Sequence, residues 1–347
     1  MIRIPAHIGR LLRAPAADVS IPALWNDQSR AIALAPMLVR LFYVAMFYIQ
    51  LEPHDMWANW VKLRTLRVVW PLGWFHLTGI PAGVMIVMLG ALAASLLAAS
   101  FPMRRICRIL AALGMLQFGA FYNSFGAINH GPHAWIWVAV IFIFLPNGDP
   151  RTDPTSVARR QRYLRVFWSA QFAVLFFYSI SGAIKLAAAA IQISQGQVHA
   201  FSPDALARHT AYNLQSDAFQ SPFIIGPWLV RHPTVGWPFF LGAIYLETFS
   251  ALAAFRPALH RLWAVAVIIM HLSIFFVMNI LFSWQILLIA ILILPSPFAP
   301  TATSLRTTLL ALPLLRPLFN LLQAKRSADT LSLRPSSPLP VLRERAG

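Results

Sequence analysis

The chain has a single cysteine, Cys107, which excludes an intrachain disulfide and any metal cage built on several thiolates. Acidic residues are also few, 11 against 28 Lys and Arg. With charged residues at only 11%, an ordinary soluble surface is excluded, since soluble domains carry about 25%. No Walker lysine loop, dinucleotide glycine fingerprint or zinc-peptidase helix motif occurs. "NGDPRTD" at 147–153 is too sparse in ligands for a calcium loop. The N-terminus has arginines but no adjoining apolar core with a small-residue cleavage site, so no cleaved signal peptide is expected.

What is present is apolar. Hydrophobic residues make up 58% of 347 positions and mean hydropathy is +0.64. They fall in blocks long enough to cross a bilayer, which needs about 20 residues per helix. The pattern predicts an all-α, polytopic integral membrane helix bundle of about eight spans, at 33–52, 79–100, 109–126, 133–146, 166–187, 238–255, 262–281 and 282–297. Residues 1–32 then form a cytoplasmic or interfacial segment, 33–298 the membrane domain, and 299–347 an interfacial piece followed by a disordered tail.

The formal charge of +17 does not read as a nucleic-acid surface, because the basic residues are dispersed between apolar blocks. They act as topology signals instead. With the N-terminus inside, 21 of the 28 Lys and Arg fall in cytoplasmic segments and five in outer ones. Only Arg40 and Lys185 lie within spans. Both termini are therefore expected in the cytoplasm, with the inner membrane of a bacterium as the setting and membrane lipid as the first partner. Two outer segments are long. In 53–76, Trp57, Trp60, Trp70 and Trp74 alternate with basic residues at spacings of three and four, which predicts an interfacial helix. The length of 188–237 suits a lid or binding loop.

Ionisable groups at membrane depth carry the functional question. Lys185 lies roughly 30 Å along span 5 at 1.5 Å per residue, at its outer boundary, where it either snorkels to water or serves as a base. Glu247 and His271 sit near mid-depth on consecutive antiparallel spans. A lone carboxylate there costs at least a few kcal/mol, so a Glu247–His271 hydrogen bond is expected, as a structural clasp or as a proton relay. "FGAINHGPHAW" places Asn129, His130 and His133 in the outer turn between spans 3 and 4. No cysteine or carboxylate completes a metal set there, so no metal is expected. Arg40, in the inner half of span 1, has two readings, snorkelling inward or pairing with a carboxylate.

Three of these pieces together resemble a known family, the horizontally transferred transmembrane domain shared with the membrane part of vitamin K-dependent gamma-carboxylases. "FYSISGAIKL" is similar to its aromatic–small–Gly–x–x–Lys–Leu helix end. Asn129–His130 resembles its Asn–His pair, and "LETFSALAAFRPALHRLWAVAVIIMHLSIFFVMNI" its Glu–Pro/Arg–His double helix. With Arg40, the likeness covers roughly 30–298. It implies that Lys185 is the base for a quinol cofactor, with Asn129 and His130 beside it as catalytic partners. It also implies that Tyr178, Glu247, His271 and Arg40 bind the cofactor or substrate. A lysine can act so only when partly neutral, which a desolvated site promotes. The carboxylases' large luminal domain has no counterpart in this sequence, so the likeness points to a quinol- or lipid-like small molecule rather than to a protein substrate.

Two other classes stand beside this enzyme reading. One is a non-catalytic accessory or immunity protein for peptide export or maturation. The other is a proton-coupled transporter, since Glu and His at mid-depth suit that work. The orientation is directly testable. A cysteine replacing Ser202 on a Cys107→Ala background is expected to react with an impermeant maleimide from outside. Reaction from the cytoplasmic side alone inverts the topology.

Overall fold

The computed structural model describes residues 29–53, 56, 59–63, 65–126, 130–152, 156–197, 201–214, 223–301 and 305–314. Among these the chain is helical, with no strand. It divides into a unit spanning Ala16–Ala302 and a second made of Met1–Pro15 with Thr303–Gly347. In the second unit the described helix is Leu305–Ala311. The expected tail beyond Leu314 and the N-terminal segment before Ser29 lie outside the described residues.

The larger unit contains α1 (Ser29–Leu51), α2 (Ile80–Ser100), α3 (Arg105–Tyr122), α4 (Gly131–Phe142) and α5 (Val157–Ser194). It continues with α6 (Ala205–Leu214), α7 (Ile225–Arg231), α8 (Trp237–Ala254), α9 (His260–Met278) and α10 (Ser283–Leu292). Six of them, α1, α2, α3, α5, α8 and α9, are long and apolar enough to cross a membrane. The blocks expected as spans 4 and 8 form α4 and α10, only 12 and 10 residues long. Asn279, in the left-handed region at φ 57°, ends α9 and separates it from α10.

Two expectations need correction. Span 5 does not stop near Ala187. Ser156 caps the N-terminus of α5 by accepting from the Arg159 N–H at 3.3 Å, and the helix then runs 38 residues to Ser194. The Ala187–Ala190 run carries it forward, alanine being the best helix former, until Gly196 at φ 67° supplies the left-handed residue that ends it. Lys185 is therefore nine residues short of the helix end. The tryptophan-rich segment is not one interfacial helix either, because its described part from Leu63 to Val69 is irregular. Trp60 is buried, edge-on to Phe121 and Tyr122, and Trp74 Nε1 donates to Gln117 Oε1 at 3.1 Å. Trp60 and Trp74 are used for packing, Trp70 is exposed, and Trp57 lies outside the described residues.

The interior is aromatic where α1, α4 and α5 meet. Phe42 stacks on Trp135 at 5.1 Å and meets Phe142 edge-on, and Phe142 stacks on Phe167. Small residues set the closest helix approaches. At Gly114 an added Cβ would lie 3.0 Å from the Ala91 Cα, so α2 and α3 touch nearly backbone to backbone. Buried polar groups tie the helices laterally. Ser95 Oγ donates to Gln50 Oε1, while Gln171 Nε2 and His260 Nδ1 both meet Ser296 Oγ. Fully buried Arg108 donates to the carbonyls of Pro102 and Leu145, just past the C-terminal ends of α2 and α4. A cation suits such ends, where carbonyls lack intrahelical partners.

The crossing of α5 with α8 is tight as well. A Cβ at Gly182 would fall 2.5 Å from the Thr248 backbone nitrogen. Ser179, one turn away, fits its hydroxyl into the α8 backbone, accepting from the Ala251 N–H at 2.8 Å and donating to the Thr248 carbonyl at 3.0 Å. Gly182→Ala is therefore expected to lower stability by about 1–3 kcal/mol through overpacking, and Gly182→Leu by more. Thermal unfolding of detergent-purified protein checks this; an unchanged midpoint for Gly182→Leu removes the close crossing.

Candidate functional site

Residues of α5 spaced by three face α8 as one stripe. Ser179 and Gly182 are small and let the two backbones meet, and Lys185, the next in the series, then stands beside the α8 segment that carries Glu247. Its Nζ donates to both carboxylate oxygens, at 2.6 Å each. The pair is unevenly covered, the Lys185 side chain 43% exposed and Glu247 only 10%. The ammonium is thus reachable from outside the bundle, while the carboxylate is enclosed.

A second pair adjoins it. Tyr178, seven residues before Lys185 and so on the same side of α5, lies with its hydroxyl 2.7 Å from His271 Nε2. When Tyr178 donates, the imidazole proton resides on Nδ1, a buried atom with no hydrogen-bond partner. Phe282 covers the ring at 5.0 Å between centroids. The two pairs form one electrostatic cluster. The Glu247 charge acts on the Tyr178 phenol, and the Lys185 charge on the His271 imidazole.

The expected Glu247–His271 hydrogen bond is not formed. Similar depth on adjacent helices does not fix rotation about their axes. The close crossing brings Lys185 to Glu247 first, and His271 turns to Tyr178. Nor does Lys185 meet His130. The structure gives His130 a neighbour on its own turn, with its Nδ1 3.3 Å from His133 Nδ1. Asn129 lies outside the described residues. Arg40 does not join the cluster either. It is exposed on α1, and its charge acts on Asp149 in the segment after α4. Asp149 itself accepts from Arg151, which holds its carboxyl below the usual carboxylate range. Among the described residues no group of three His, Cys, Asp or Glu side chains could hold a metal ion.

Ser179 and Thr248 belong to this neighbourhood without having stood out in the sequence. The small-residue spacing of Ser179 and Gly182 was a usable signal, since such pairs mark close helix contacts in apolar surroundings. No family model, curated protein or solved structure matches the chain.

The arrangement offers a carboxylate that can accept a proton, a cation beside it that can hold negative charge, and a phenol–imidazole pair that can pass a proton between its two members. Lys185→Met leaves the Glu247 carboxylate without its cation. Because Lys185 is partly exposed, the expected loss lies between surface and buried values, about 1–3 kcal/mol. Adding Glu247→Gln should recover part of it. A double-mutant cycle on thermal unfolding measures the coupling, and additive effects would show that the pair contributes nothing.

Proposed function

We propose that the protein is an integral membrane protein with cytoplasmic termini, spanning the bilayer at least with α1, α2, α3, α5, α8 and α9, and that Lys185, Glu247, Tyr178 and His271 form an outward-facing site for proton transfer with a quinol-like, lipid-soluble molecule. The observation that carries this reading is the bidentate contact of Lys185 with Glu247, set beside the Tyr178–His271 pair within an apolar bundle. Ionisable groups so placed mark functional sites more often than decoration. The resemblance to the carboxylase membrane domain supports the same choice of small molecule.

The residues fit such a group. A quinol supplies a weakly acidic phenolic O–H and, after losing the proton, an electron-rich oxygen. Glu247 is the proton acceptor in the cluster, through the carboxylate oxygens now turned to Lys185. Lys185, which donates to both oxygens of that carboxylate, is placed to set a positive charge where negative charge develops. His271, with an unpartnered Nδ1, and Tyr178 position a polar end and can move one proton between Oη and Nε2. Apolar helix faces around the cluster would take the ring and any isoprenoid tail.

A second reading, a non-catalytic accessory protein, is favoured by one observation. Ser179, Gly182 and Lys185 all close on α8, so that Lys185–Glu247 also serves as a helix clasp. Binding separates the two. With menadiol as the probe in nanodiscs, Lys185→Ala and Glu247→Gln are each expected to weaken binding tenfold or more, about 1.4 kcal/mol. Lys185→Arg keeps the charge and is expected to retain most of the affinity. If menadiol binds the wild type no better than the Lys185→Ala/Glu247→Gln double variant, the quinol reading fails and the clasp stands.

A further inference from the structure

The end of the bundle where α3 and α5 begin holds a second group of buried polar side chains, separate from Lys185. Arg108, Tyr43 and Tyr163 are each fully buried. Their contacts converge on the last turn of α4. Tyr43, on α1, lies against Phe142 at 6.4 Å between ring centroids. Phe142 in turn stacks at 6.0 Å on Phe167, which stands one turn beyond Tyr163 on the same side of α5. Arg108 donates to the carbonyl of Leu145, three residues past Phe142. The three are within electrostatic reach of one another, for the Arg108 charge acts on both phenols and Tyr43 acts on Tyr163.

Each brings a polar atom that its neighbours leave unsatisfied. The carbonyls of Pro102 and Leu145 take the two Nη groups of Arg108. Arg108 Nε, Tyr43 Oη and Tyr163 Oη have no hydrogen-bond partner among the described residues. One such buried atom costs free energy, and three in one neighbourhood call for a common partner. The chemistry of that partner follows from what the atoms offer. The arginine N–H can only donate, and both phenols can donate as well. Arg108 has no carboxylate of its own, because Asp149, the acidic residue of this region, accepts from Arg151. The charge of Arg105 acts on Arg108 and that of Arg151 on Tyr163, so the surroundings carry an excess of positive charge. A water bridging the three atoms would leave the guanidinium uncompensated in an apolar interior. An anion compensates it and accepts from all three donors.

We propose that Arg108, Tyr43 and Tyr163 form a binding site for a small monovalent anion such as chloride, with Arg108 Nε and the two phenol hydroxyls as its donors. The site lies under a thin cover. Asn147, exposed in the turn after α4, has its Oδ1 3.5 Å from Arg108 Nη2. That turn is held between α2 and α3 by the Gly148 N–H, which donates to the Met103 carbonyl at 3.3 Å. An ion entering beneath the turn has a short way to go.

Thermal unfolding of the full chain in nanodiscs tests the site, with chloride replacing gluconate at constant ionic strength. A ligand that binds only the folded chain raises the midpoint with its concentration, so the midpoint is expected to rise as chloride replaces the much larger gluconate. Tyr43→Phe/Tyr163→Phe keeps both rings and removes two donors. It is expected to raise the chloride concentration needed for a given shift about tenfold or more. In gluconate it is expected to be no less stable than the wild type, since it buries two fewer unsatisfied hydroxyls. A wild type indifferent to chloride means that water alone meets the donors and overturns the proposal. So does a double variant that responds to chloride as the wild type does, for the ion then sits elsewhere. Crystals grown in bromide need no variant. An anomalous scatterer is expected within hydrogen-bond reach of Arg108 Nε, and its absence there overturns the assignment.

Discussion

A carboxylate enclosed in an apolar helix bundle has to be neutralised, and Glu247 is that carboxylate. Unpaired at such a place it would destabilise the bundle by several kcal/mol. Lys185 relieves it only if α5 comes close enough for the ammonium to reach both oxygens. That demand explains the residues around the contact. Gly182 removes the Cβ that would strike the Thr248 backbone, and Ser179 fills the remaining space while satisfying the Ala251 N–H and the Thr248 carbonyl. His271, deprived of Glu247, is satisfied by Tyr178.

The same logic recurs where helices end. Without water, backbone groups beyond the last helical turn need side-chain partners. Arg108 supplies them at the Pro102 and Leu145 carbonyls, and Trp168 Nε1 and His260 Nε2 meet the Ala254 carbonyl at the end of α8. The difference between these positions and the Lys185 cluster is one of supply. Arg108 is fully buried and donates to fixed carbonyls, with no acidic partner among its contacts. The cluster combines a carboxylate, an amine, a phenol and an imidazole with unequal exposure, and protons can be redistributed among them.

Most of the helices were legible in the sequence, because a run of about twenty apolar residues admits few other structures. Lys185, Glu247 and His271 were legible one by one for a related reason, since ionisable groups in such runs need a cause, whereas Tyr178 entered only through the resemblance. Their partners were not. Counting residues along a helix gives depth, whereas pairing depends on rotation about the axis and on the reach of a long side chain, and Lys185 used both. The end of α5 was missed because the hydropathy pattern weakens near Ala187 while the alanine run goes on favouring helix. The segment from Leu63 to Val69 misled in the opposite way, for tryptophan spacing suggested helix where Trp60 and Trp74 are instead drawn into lateral contacts with α3.

One helix, α5, supplies Tyr178, Ser179, Gly182 and Lys185 to contacts with two different neighbours. Because the four are rigidly connected, a small turn of α5 about its own axis would pull Lys185 from Glu247, drive the Ser179 hydroxyl out of the α8 backbone and part Tyr178 from His271 together. The alignment of a proton-bearing cluster is in this way tied to the rotation of a single 38-residue helix, and a molecule seated beside Lys185 meets groups whose positions one axis sets.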